Sequence, residues 1–226
     1  LFEIWSKFKR VRFHYSVDSI EDMNSYIRFP ANWENTVKQF HLLDNTDDKV
    51  EVTIACAVQA LNIHYIPDFI KWKLEQNFKK INIWPFGAGM INYHFVYWPP
   101  QLNVKVLPQW FKEQVKQKYE EFYPWLEENW KLSGAPSKEA FLEADYGIKR
   151  LKGMVKFMMS EDWSVRMPEF REYITQFDAQ RNTDFKKVFP DMAGLLDETL
   201  DNSIETKLGD KVDEKTEKEL ADGGTI

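Results

Sequence analysis

Residues 12–17, Arg-Phe-His-Tyr-Ser-Val, alternate strictly. Phe13, Tyr15 and Val17 share one face; Arg12, His14 and Ser16 share the other, which predicts a strand buried on one side. Residues 50–58 repeat the pattern over a longer run. Val50, Val52, Ile54, Cys56 and Val58 point one way, and Glu51, Thr53, Ala55 and Ala57 the other. A third strand is predicted over 80–84, Lys-Ile-Asn-Ile-Trp, ending at Pro85-Phe86-Gly87.

Helical spacing fills the gaps. After the loop through Arg28-Phe29-Pro30, Asn32 is placed to cap a helix carrying Trp33, Val37, Phe40 and Leu43, closed by the turn at 44–48. Past Asn62, Pro67 suits a first helical turn, and Phe69, Ile70 and Leu74 follow at helical spacing. Residues 1–10 resemble a helix end. The first 86 residues therefore read strand–helix–strand–helix–strand, and helical crossovers imply parallel pairing. So few β/α units cannot close a barrel, and the first strand needs a partner along its free edge.

Residues 87–107 read as a connector containing Tyr97-Trp98-Pro99-Pro100. Beyond Pro108 the pattern is helical over 109–123, 138–159 and 168–180, with a short helix around Phe185, Val188 and Phe189 stopped by Pro190. From about Asp201 the chain loses its aromatics and is rich in Asp, Glu and Lys, which predicts a solvated, largely disordered tail or a frayed helix. Three regions follow: 1–107, 108–198 and 199–226. The fold class is α/β, with a helical C-terminal region.

Composition narrows the function. The 17 Phe, 9 Tyr and 9 Trp suit a well-packed core or a ligand-lined cavity. A net charge of −6 argues against a broad nucleic-acid face, which needs a basic surface. The single cysteine, Cys56, precludes an internal disulfide, fits a reducing, cytoplasmic setting and reads as a small buried residue. It also cannot by itself hold an iron–sulfur cluster. No apolar run approaches the ~20 residues of a membrane span, so no membrane partner is expected. The opening Leu-Phe-Glu-Ile-Trp reads as the interior of a longer protein.

Several segments together carry a family likeness. The run Phe13-His-Tyr-Ser16-Val-Asp18-Ser19-Ile, followed by Asn24-Ser-Tyr26-Ile-Arg28, is similar to the fourth strand and following loop of radical S-adenosylmethionine proteins of the SPASM and twitch subgroup. There a strand ends in Ser-x-Asp, usually before Gly, with an Arg further on; Ser19 stands in place of that Gly. The strand from Val52 to Val58, running into Asn62 and Ile66-Pro67-Asp68-Phe69, resembles the subgroup's fifth strand and helix. The stretch from Trp98 to Pro108, and the later Glu169-Phe170, Asp178, Arg181 and Phe185 to Pro190, resemble twitch-type members. The likeness covers about residues 1–195.

The resemblance implies a partial (β/α) barrel of about three parallel β/α units followed by a helical cap. It implies S-adenosylmethionine and a 4Fe–4S cluster as cofactors of the full-length protein. In the family, three cysteines of a CxxxCxxC loop bind the cluster, and one-electron cleavage of the sulfonium gives a 5′-deoxyadenosyl radical that abstracts hydrogen from substrate. The cluster ligands are absent from this chain, so it is expected to be inactive alone and to partner the upstream N-terminal half of the same protein, with a peptide as the substrate class.

Strand C-termini are where such folds place ligands. Ser16 can bond the ribose or methionine part of the cofactor, or close a strand-end turn. Asp18 can accept from a ribose hydroxyl or cap the next turn. Arg28 suits bidentate carboxylate binding, with the methionine carboxylate as its family-implied partner, or forms an ion pair with Glu21 or Asp22. Asn62 can reach the cofactor or shape the turn before Pro67. Phe86 and Gly87-Ala-Gly89 can lie against adenine. His14, on the polar face, can meet substrate; the four histidines show no metal-ligand spacing. Two rivals remain: a cluster-less interaction protein binding through its exposed strand edge, and an unrelated α/β hydrolase or glycosidase using carboxylates such as Asp18 and Glu51.

Overall fold

The computed structural model describes residues 2–81, 91–143 and 147–199. Three parallel strands form the sheet, in the order β1–β2–β3: β1 is Val11–Ser16, β2 Val50–Val58 and β3 Asn92–Phe95. Arg12 pairs with Glu51, Ser16 with Ala55, and Ala55 in turn with Asn92. The helices are α1 (Phe2–Trp5), α2 (Glu21–Ile27), α3 (Trp33–Asp44), α4 (Ile66–Glu75), α5 (Gln109–Glu128), α6 (Lys138–Glu143), α7 (Ile148–Met159), α8 (Met167–Arg181) and α9 (Phe185–Val188). No described helix is long and apolar enough to cross a membrane. The chain divides into two compact units after Phe170.

In the first unit, the alternation read from β2 is its burial pattern. Val50, Val52, Ile54, Cys56 and Val58 are buried, while the residues between them are half-exposed. Burying each Val or Ile stabilises by roughly 1.5–3 kcal/mol, which fixes the register, because a one-residue slip would turn the whole apolar set outward. An aromatic layer covers this face: Tyr15 meets Phe40 edge-on at 5.0 Å, and Phe40 contacts Trp72 of α4 and Phe78. Asn32 caps α3 as predicted, its side chain accepting from the Asn35 N–H at 3.0 Å. Pro67 sits in the first turn of α4. Asp44, at the end of α3, accepts three backbone N–H bonds, from Lys79, Lys80 and Ile81, at 2.7–3.1 Å.

Helices α5 and α7 pack together farther along the unit. Tyr119 of α5 is fully buried and donates its hydroxyl to the Ile63 carbonyl at 2.9 Å. Arg150 of α7 donates to the Tyr93 carbonyl of β3 at 2.7 Å, and Phe157 lies 4.2 Å from Phe95. In the second unit, Asp178 organises the turn into α9 by accepting from the Thr183 hydroxyl and the Phe185 N–H.

The structure departs from the pattern in several places. The third strand is Asn92–Phe95, inside the predicted connector. Lys80 and Ile81 are not strand; residues 82–84, Phe86 and Gly87–Gly89 lie outside the described residues, as does the tail from 200. A helix, α2, occupies the predicted loop after β1. α5 runs on through Pro124 to Glu128, because buried Phe122 and Leu126 hold the turns on either side of it. The single helix predicted over 138–159 is two, α6 and α7.

Candidate functional site

Parallel pairing places the downstream ends of all three strands on one edge of the sheet. Ser16, the last residue of β1, is exposed and shares its face with Arg12 and His14. On β2 that face carries Glu51, Thr53, Ala55 and Ala57; on β3 it carries Asn92 and His94. Ala55 and Ala57, in the middle of this face, carry small side chains and are half-buried. The Thr53 hydroxyl lies 2.7 Å from His14 Nδ1. Toward the upstream end a cavity of about 140 Å³ is lined by Arg12, Phe13, His14, Glu51 and Thr53. Arg10 and Arg12 both bond Glu51 there, and the bond from Arg10 is the main reason its carboxyl is held below the usual range.

The loops leaving β1 and β2 meet at Asp18. Its side chain is almost wholly buried, yet each of its polar groups is matched. Oδ1 accepts from the Ala57 N–H at 2.7 Å and Oδ2 from Arg28 Nη1 at 2.9 Å. Its backbone N–H donates to Asn24 Oδ1 at 3.1 Å, and its carbonyl accepts from Asn62 Nδ2 at 2.9 Å. Asn62 is fully buried; its amide also donates to the Ala57 carbonyl at 2.9 Å, and its Oδ1 accepts from the Gln59 N–H at 2.8 Å. Cys56 is enclosed by the same knot, and burial, followed by the nearby Asp18 carboxylate, pushes its thiol well up. A buried carboxylate is stable only when paired and hydrogen-bonded, and Arg28 supplies the pair.

The predicted residues are thus brought together unequally. Asp18, Arg28 and Asn62 form one network, while Ser16 stands at the same end but on the open face. Arg28 pairs with Asp18, not with Glu21 or Asp22. Its side chain remains 37% exposed, and Nη1 is the guanidinium nitrogen that Asp18 holds. Ser19, next to Asp18, buries a hydroxyl with no hydrogen-bond partner among the described residues. Glu21, opening α2, has φ of 50°, a left-handed conformation unfavourable for a residue with a Cβ; such strain often gathers at functional loops.

The pattern missed two parts of the site. Asn24 carries the Asp18 N–H, and its signal is a polar residue on the inward side of a short helix. Asn92 and His94 sit on a strand too short to announce itself. Among the described residues no His, Cys, Asp and Glu side chains gather as a metal-binding group. No family model, curated protein or solved structure matches the chain.

Proposed function

We propose that this chain forms one wall of a partial β/α-barrel site for S-adenosylmethionine, as part of a radical S-adenosylmethionine enzyme acting on a peptide. The observation that carries the reading is the pairing of an open polar sheet face with a half-exposed arginine at the downstream end of parallel strands. S-adenosylmethionine presents a carboxylate, an ammonium, a ribose and an adenine. Arg28 offers unspent guanidinium N–H groups for the carboxylate. Ser16 offers an exposed hydroxyl for the ribose or the methionine part. These donors suit the carboxylate and the ribose, and S-adenosylmethionine would supply the radical chemistry once reduced by one electron from a cluster held outside this chain.

The residues do not fit a 4Fe–4S cluster. Its thiolates would have to come from another segment, because Cys56 is the only cysteine and its thiol is buried and disfavoured as thiolate. No step is therefore assigned to a cluster in this chain. Its own residues bind and orient the cofactor, and α2 with the loop after β2 shields the rim.

Titration calorimetry of S-adenosylmethionine against the chain tests the reading. Binding is expected, and Arg28→Ala should weaken it by roughly 1.5–3 kcal/mol, the worth of a hydrogen bond to a charged group. An absence of binding, or an affinity indifferent to Arg28, refutes it. Turnover is tested by reconstituting the chain anaerobically with a segment that carries a CxxxCxxC cluster site and assaying for 5′-deoxyadenosine.

A further inference from the structure

We infer that Asp18 is a positioning residue: it touches no ligand and instead aims the Arg28 guanidinium at the carboxylate of the bound amino-acid moiety. The inference rests on the function proposed above and assigns that site's internal division of labour.

Four bonds commit Asp18 inward. Its N–H goes to Asn24 and its carbonyl to Asn62; one carboxylate oxygen takes the Ala57 N–H and the other takes Arg28. Only 3% of the residue is exposed, so a ribose hydroxyl has no approach to it. Oδ1 is anchored to β2, the central strand, through Ala57 at 2.7 Å. The position of Oδ2, and with it that of Nη1 of Arg28 at 2.9 Å, is therefore set by the rigid sheet and not by the flexible arginine stem. A guanidinium is a planar fork carrying five donors, so one edge can be held by Asp18 while the rest remain for a second carboxylate. Without the anchor, Arg28 would search its rotamers and lose that ordering on every binding event. A buried negative charge beside the arginine also offsets its positive charge in the free protein, so the site waits loaded without an unpaired cation.

The test compares two ligands on the full chain. S-adenosylmethionine carries the carboxylate; 5′-methylthioadenosine shares the adenosyl thioether but lacks the amino-acid group. Asp18→Asn keeps an acceptor for the Ala57 N–H but presents Arg28 with an amide in place of an anionic acceptor. It should weaken S-adenosylmethionine about tenfold or more and leave 5′-methylthioadenosine within about twofold. In the Arg28→Ala background, Asp18→Asn should cause no further loss, because the two act as one unit. Arg28→Lys, at an exposed position and so expected to fold, replaces the fork with a single ammonium and should show the same ligand-selective loss.

Equal losses for both ligands on Asp18→Asn would make Asp18 a general prop of the loop and overturn the inference, with the cofactor site left standing. So would unchanged affinity, or Arg28→Lys binding S-adenosylmethionine like the parent. Additive losses in the double variant would overturn it as well. A parent chain that binds neither ligand removes the site itself, and the inference falls with it. The unfolding midpoint of each variant in urea, measured alongside, reports any loss of fold, which Arg28→Lys is chosen to escape.

Discussion

Asn62→Ala discriminates most sharply between a side chain that serves a ligand and one that serves the backbone. Asn62 is completely buried, and it satisfies three main-chain groups: the Asp18 and Ala57 carbonyls at 2.9 Å each and the Gln59 N–H at 2.8 Å. Alanine would strand the Ala57 carbonyl and the Gln59 N–H and leave the Asp18 carbonyl only the weak Cys56 thiol. Each orphaned buried group costs about 1–3 kcal/mol, and relaxation or an entering water recovers part of it, so a net loss of about 3–5 kcal/mol is expected. That is a large share of the roughly 5–15 kcal/mol that holds a domain together. Equilibrium unfolding in urea, followed by tryptophan fluorescence with no ligand present, measures it. Asn62→Asp should be at least as damaging, since it turns a carboxylate oxygen toward two carbonyls and sets a second negative charge near Asp18. A ligand-free loss under about 1 kcal/mol for Asn62→Ala would refute the backbone role.

Two further outcomes follow from buried charge. Asp44→Ala removes the acceptor of the Lys79, Lys80 and Ile81 N–H groups and should destabilise by about 3 kcal/mol in the same urea assay; an unmoved midpoint would count against it. Lys73 is fully buried on α4, and burial pushes its ammonium from the ordinary 10.5 down to about 7. Between these values the unfolded chain holds a proton that the folded chain has released. Stability should therefore rise with pH, by up to about 1.4 kcal/mol per unit, and level off below about 7, where both states are charged. Lys73→Met should flatten that slope and exceed the parent in stability at neutral pH; parallel pH profiles for the two proteins would refute the assignment.

How far the fold could be read in the chain depended on how one-sided each element's burial is. β2 presents five buried apolar positions at period two and could hardly be mistaken. α3 and α4 carry apolar stripes with a capping Asn32 and an entering Pro67. β3 has four residues and buries only Tyr93, so no alternation develops, and its neighbours Tyr97-Trp98-Pro99-Pro100 pull the reading toward a connector. α2 has seven residues, and its two buried ones, Asn24 and Tyr26, form no apolar stripe. Its inward face is paid for in hydrogen bonds, which periodicity does not register. Pro124 signals a stop that tertiary packing overrides, since Phe122 and Leu126 are both buried.

The sequence pattern singled out Asp18, Arg28 and Asn62, which the structure joins in one network, but not what each of them bonds, and the cause is the backbone. Where β1 and β2 end, the chain leaves the ladder, and its N–H and C=O groups lose their neighbouring strand. Buried there, they must be met by side chains, and Asn24, Asp18 and Asn62 meet them. A sequence displays a polar residue at a strand end in the same way whether it faces a ligand or the main chain. Only the count of unmet donors and acceptors separates the two cases. At this rim the backbone claims Asn24 and Asn62 outright, and Asp18 together with Arg28, leaving the exposed part of Arg28 and the exposed Ser16 hydroxyl. Ser16 is the last residue of β1, and Arg28 is tied to Asp18 two residues beyond it. The exposure of these two groups, and not their polarity, is what distinguishes them from their neighbours at this rim.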